Sequence, residues 1–161
     1  MIVYDPEATS VVPGLDGMPV RSTLRRAVIA AQRSVALHGE VTVLLTDDAG
    51  IRRLNRRFRG KNKATDVLSF PAAEPQFGVA GDLAISVETA ARQAAAEGHP
   101  LRIELRILIL HGMLHLVGLD HEADRGEMAS LESELRRKLR LPQGLIERAS
   151  SSRSRVAKAR P

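Results

Sequence analysis

Three of the five histidines in this chain fall within eleven residues: His111-Gly112-Met113-Leu114-His115-Leu116-Val117-Gly118-Leu119-Asp120-His121. At about 100° per residue, helix positions 111 and 115 lie ~40° from a shared face and ~6 Å apart along the axis. Two imidazoles at that spacing converge on one point. Gly118 can take the left-handed conformation that ends a helix; the chain then folds back and carries His121 toward the other two. Three neutral nitrogens suit a zinc ion (Zn2+), whose fourth position stays open to water or substrate. The bland reading is a set of polar residues solvated at a helix end. The i, i+4 pair with a third histidine across a glycine turn makes the metal site the stronger expectation. Such ligands also accept nickel, copper or iron, and availability decides among them.

In the zinc-protease pattern His-Glu-x-x-His, the glutamate after the first histidine is the general base. Gly112 stands there in this chain, so peptide hydrolysis lacks its base. Asp120, beside His121, has three roles open to it: orienting an imidazole, accepting a proton, or capping the turn. His38 and His99 lie next to Gly and Pro at expected helix ends, where polar caps are common, and are read as structural.

A second signal is charge. Arg52, Arg53, Arg56, Arg57, Arg59, Lys61 and Lys63 place seven cations in twelve residues without one acid. An exposed helix face accounts for several of them. A phosphate chain is nevertheless a natural partner, since each cation near a phosphate releases a counterion, and Arg56, Arg57, Lys61 and Lys63 are the candidate RNA contacts. Aromatic residues are few (Tyr4, Phe58, Phe70, Phe77), so a base-stacking platform is not expected. Recognition then rests on backbone charge, shape and 2′-hydroxyls. An open metal site beside a cationic surface points to phosphodiester chemistry, which neither signal does alone.

The elements that position these residues read as follows. Ile2–Tyr4 starts a strand, and a Pro/Gly/Asp-rich connection runs through Pro19. Leu24, Ala27, Val28, Ala31 and Val35 recur at helical spacing from Ser22, ending at His38-Gly39. Residues 41–45 form a buried strand. Asp47 and Asp48 cap a short helix with Ile51, Leu54 and Phe58 inward. A strand over 66–70 stops at Pro71, a loop covers 71–81, and a further strand covers 82–87. An Ala-rich helix reaches Gly98. The span 101–117 is apolar around most of its circumference and reads as a central buried helix. An amphipathic helix follows over about 126–139, with Met128, Leu131, Leu135 and Leu139 inward. The fold class is α/β (α+β): a small mixed sheet packed with helices, the central apolar one carrying the histidines.

The 161 residues make one domain over 1–147 and a basic tail over 148–161, read as a disordered, solvating extension. The formal charge is +5, and 148–161 contributes five cations and no acid. Nineteen residues of each sign remain over 1–147, so the folded part is neutral rather than a globally basic nucleic-acid binder. No cysteine is present, which excludes disulfide scaffolds, iron–sulfur clusters and thiol nucleophiles. No apolar run approaches the ~18 residues of a membrane span, and Met1–Asp5 shows no secretory signal. Neither a membrane nor DNA is an expected partner, and the cytoplasm is the default compartment.

Four segments carry a resemblance: Leu54-Asn55-Arg56-Arg57-Phe58-Arg59-Gly60-Lys61, Thr65-Asp66-Val67-Leu68-Ser69-Phe70-Pro71, Gly81-Asp82-Leu83-Ala84-Ile85, and the histidine run. In this order the chain resembles the bacterial YbeY proteins, single-strand-specific endoribonucleases of ribosomal RNA maturation and ribosome quality control. The resemblance covers about residues 41–140. It implies a compact α/β domain, a zinc held by His111, His115 and His121, and a functional arginine at Arg59. It also implies ribosomal RNA, including the 16S 3′ end, and the small ribosomal subunit or its assembly factors as partners. Leu119 and Phe58 stand where the family usually or often has tyrosine, so any role of those hydroxyls is lost here.

On this reading an open zinc ion polarises a phosphoryl oxygen or brings the pKa of a water to ~7. Arg59, always charged, clamps a phosphate as charge develops, and Asp120 is a candidate proton acceptor. Two alternatives remain: an assembly factor that binds RNA around a mainly structural zinc, and a metal-dependent hydrolase of small phosphate esters.

Overall fold

Val41, Val43 and Leu45 are buried along strand β2 (Glu40–Thr46), which lies inside a four-stranded sheet. The sheet is completed by β1 (Ile2–Tyr4), β3 (Val67–Pro71) and β4 (Val79–Ser86), in the order β1-β2-β4-β3. β1, β2 and β4 are parallel; β3 runs antiparallel to β4 and forms one edge. The structure, a computed structural model, describes residues 1–74 and 78–142. The expected domain boundary at 147/148, the basic tail and Phe77 lie outside the described residues.

Six helices accompany the sheet among those residues: α1 (Pro6–Val11), α2 (Met18–Ser34), α3 (Asp48–Arg59), α4 (Val87–Glu97), α5 (Leu101–Leu116) and α6 (Glu127–Lys138). The larger core lies on one face. There Leu24 and Val28 of α2, Ala90 of α4, Leu105, Leu108 and Met113 of α5, and Met128 and Leu135 of α6 meet Val43, Leu83 and Ile85 of the strands. α3 covers the opposite face with Ile51, against Leu68 and Ala84. α5 is buried on nearly every side, as its all-round apolarity predicts.

Several boundaries differ from expectation for local reasons. The connection after Asp5 holds α1, with Pro6 in its first turn and Asp5 accepting from the Glu7 N–H (3.3 Å). α2 begins at Met18, not Ser22, because Pro19 falls in the first turn, where a missing N–H costs nothing. β3 runs from Val67 rather than Asp66 and includes Pro71 as its last residue instead of stopping before it, which an edge strand tolerates. β4 starts at Val79, three residues before the expected Asp82. The strand passes Gly81 at φ +149°, where a Cβ would lie 2.6 Å from the Phe70 carbonyl oxygen. Phe58 is 57% exposed rather than inward, meeting Phe70 edge-on at 5.3 Å between ring centroids.

Candidate metal centre

The position of α5 against the sheet is set at Gly112. A Cβ there would stand 2.8 Å from Leu83 Cδ2 on β4, so any side chain at this position would require Leu83 to shift. Gly112 is itself buried against β4, so the position that a zinc-protease base would take faces the core here. Ser69 Oγ donates to the Gly112 carbonyl (3.2 Å) and ties β3 to the same turn. His111 is buried and His115 half-buried. Gly118, at φ +93°, ends the helix, and the Leu119 N–H donates back to the Leu114 carbonyl (3.1 Å). The following turn brings His121 round, as the glycine signal predicts.

The three imidazoles close on one another. His111 Nε2 and His115 Nε2 are 3.2 Å apart. Ring centroids lie 4.9 Å (His111–His115), 5.3 Å (His111–His121) and 5.4 Å (His115–His121) apart. One nitrogen from each falls within 4.8 Å of the others. Burial, then the neighbouring His111 and His121, hold the His115 imidazole below its ordinary range, which favours the neutral, ligating form. The donor set therefore fits a metal ion.

A residue that sequence reasoning passed over holds His111 from behind. Glu132 on α6 is buried, and its Oε2 lies 2.9 Å from His111 Nδ1. Its Oε1 accepts from Arg136 Nη1 (3.1 Å), also fully buried, and Arg136 Nε donates to the Pro142 carbonyl. Burial pushes the Glu132 carboxyl up, but the His111 hydrogen bond and charge, then Arg136, outweigh it and leave it below the ordinary carboxylate range. A carboxylate on Nδ1 fixes ring orientation and tautomer, leaving Nε2 to ligate. Its available signal was a Glu132–Arg136 pair at i, i+4, interleaved with Met128 and Leu135 on the inward face.

The histidines line a cleft of about 1000 Å3 together with Arg59, Lys61, Lys63 and strand β3. Buried Asn55 donates its Nδ2 to the Lys63 carbonyl (2.9 Å), securing the loop that carries both lysines. Arg56 and Arg57 are exposed on α3 and do not line the cleft; Arg57 lies over the Phe58 ring (5.3 Å). Arg52 donates to Asn62 Oδ1 (2.9 Å). Asp120 lines the cleft, and its Oδ1 accepts from the Glu122 N–H (3.0 Å), which is the turn-capping arrangement. His99 Nε2 pairs with buried Glu104 Oε2 (2.5 Å) and His38 lies exposed in a loop, both away from the cleft.

A family model described as endoribonuclease YbeY matches residues 17–140. The chain belongs to the endoribonuclease YbeY family. Endoribonuclease YbeY of Koribacter versatilis is 56% identical over 128 residues, covering 80% of this chain and 83% of that protein. Endoribonuclease YbeY of Solibacter usitatus is 53% identical over 135 residues, covering 81% and 90%. The solution structure of TM1509 from Thermotoga maritima superposes with a TM-score of 0.54 at 26% identity, over 84% of this chain and 86% of that one. YbeY is thus a family of enzymes, hydrolases of RNA phosphodiester bonds. The mixed α/β fold expected from the sequence is the observed one. No helix among the described residues is long and apolar enough to cross a membrane.

Proposed function

We propose that this YbeY chain is a zinc-dependent, single-strand-specific endoribonuclease of ribosomal RNA maturation. Its substrates on this reading include the 16S 3′ end and RNA under quality control on the small ribosomal subunit, in the cytoplasm. The observation that carries the reading is the convergence of His111, His115 and His121 in a cleft that Arg59, Lys61 and Lys63 also line. A three-ligand site open to a cleft is the catalytic pattern, whereas structural zinc is closed by a fourth protein ligand.

His111, His115 and His121 would hold the zinc, which would supply Lewis acidity toward a phosphoryl oxygen and acidify a water. The chain's own groups do the rest. Arg59 takes two phosphate oxygens in a fork and stabilises charge as it develops. Lys61 and Lys63 hold flanking phosphates inside the cleft, and Arg56 and Arg57 hold those that leave it. The Asp120 carboxylate takes up the proton that the attacking water or 2′-hydroxyl gives up as it bonds to phosphorus. Glu132 keeps the His111 ring in place through Nδ1.

The test is cleavage of a single-stranded ribosomal RNA fragment by the zinc-loaded protein, with identically purified His115→Ala and Arg59→Ala variants alongside. His115→Ala is expected to lose zinc and cleavage together, and Arg59→Ala to keep zinc and lose cleavage. Equal cutting by parent and His115→Ala would remove the metal site from the reaction. Binding without cutting by the zinc-loaded parent would favour an assembly factor instead.

A further inference from the structure

One wall of the cleft is a strand edge. β3 ends the sheet, and its ladder to β4 shows which groups remain outside. The Ser86 N–H donates to the Asp66 carbonyl (2.9 Å) and the Ala72 N–H to the Ala80 carbonyl (3.2 Å). With Leu68 opposite Ala84 and Phe70 opposite Asp82, the even-numbered residues bond β4. Val67, Ser69 and Pro71 turn their main-chain groups the other way, and all three line the cleft with the histidines.

Of those outward groups, the Val67 N–H is taken by Asp66 Oδ1 (2.7 Å), and Pro71 has none. Ser69 therefore supplies the outward N–H of this strand, beside its own outward carbonyl. A further β-strand would need repeating donors and finds one, which is how natural edges resist strand addition. A nucleobase needs just one donor next to one acceptor. Each of the four bases presents such a pair on its Watson–Crick edge, accessible in single strands. The Ser69 hydroxyl is held by the Gly112 carbonyl, between His111 and His115 in the chain, so this backbone pair is anchored beside the histidines.

We propose that the Ser69 N–H and C=O form a base-binding subsite that pairs with the Watson–Crick edge of one unpaired nucleotide near the scissile phosphate. The proposal rests on the endoribonuclease reading above and supplies its selectivity. The subsite selects the absence of a partner base rather than the identity of a base. A nucleotide inside a duplex fails because its own partner already occupies both groups.

The experiment uses the full-length, zinc-loaded chain and oligouridines carrying a single N3-methyluridine at successive positions. The methyl group blocks the Watson–Crick edge and leaves ribose and phosphate intact. Cleavage and fluorescence-anisotropy binding are both read. The expected result is one position at which kcat/KM and affinity fall about tenfold or more, the scale of a two-point base contact, with neighbouring positions unaffected. Ser69→Pro removes the N–H, and with it the hydroxyl bond to the Gly112 carbonyl, without removing a β4 bond. It is expected to cut unmodified RNA more slowly and to show no further loss with methyl at the sensitive position. A uniform effect, no effect at any position, or an undiminished methyl effect in Ser69→Pro overturns the subsite and leaves the endoribonuclease reading standing. Failure of the parent to cut unmodified RNA overturns both. The scan on the parent protein decides the matter even where Ser69→Pro does not fold.

Discussion

Glu132 contributes a carboxylate to a place where an apolar helix face should be, and both its oxygens are engaged, one by His111 and one by Arg136. Supports of this kind set how tightly a metal is held. Glu132→Gln is expected to lower zinc affinity about 10–100-fold, measured by competition with a chromogenic chelator, and an unchanged affinity would deny Glu132 that role. The convergence of the histidines was legible in the sequence because helical spacing is local: His111 and His115 need only one helix, and His121 only the Gly118 turn. Glu132 was not, because its function depends on α6 packing against α5, a contact that no spacing along the chain encodes. Phe58 shows the same limit in reverse, since helical period placed it inward while the fold leaves it exposed.

Among the elements, the N-termini of α3 and α4 are clasped where β2 and β4 end. Asp48 accepts from the hydroxyls of Ser86 (2.5 Å) and Thr89 (2.7 Å) and from Arg92 (2.8 Å), while Glu88 Oε2 accepts from the Asp48 N–H (2.7 Å). Burial pushes the Asp48 carboxyl up, but these three donors outweigh it and hold it below its ordinary range. A depressed folded-state pKa stabilises the fold at pH values above the unfolded pKa of about 3.9. That stabilisation is lost as pH falls through the folded value. Asp48→Asn is therefore expected to unfold at lower urea than the parent at neutral pH, with the gap narrowing as the solution is acidified below about pH 4. A constant gap would show that the Asp48 charge is not what the clasp uses. Strands β2 and β3 and helices α4, α5 and α6 were readable from periodicity and breakers. α1 was not, because six residues are too few for a period, and only Asp5 and Pro6 announce it.

At the scale of the whole molecule, the excess of cations matters by position rather than by amount. The seven cations from Arg52 to Lys63 form one block in sequence but divide in space. Arg59, Lys61 and Lys63 line the cleft, and Arg56 and Arg57 lie outside it. Helical period could not show this division, because the lysines follow a loop that Asn55 secures from α3. Each cation that meets a phosphate of single-stranded RNA adds about 0.7 to the steepness of log affinity against log salt. Lys61→Ala and Lys63→Ala are each expected to flatten that slope by about this much, while Arg25→Ala on α2 leaves it unchanged. Equal slopes for all three would remove the lysines from the RNA path. The chain order of the site carries a last consequence. During synthesis all four strands and α1 to α4 leave the ribosome before α5 and the turn with the three histidines, and α6 follows. A product that stops short of α6 carries His111, His115 and His121, yet has neither Glu132 nor Arg136 behind the His111 ring. Premature termination would thus release a polypeptide that carries the histidines but lacks both the carboxylate behind His111 and the Met128 and Leu135 side chains of the core.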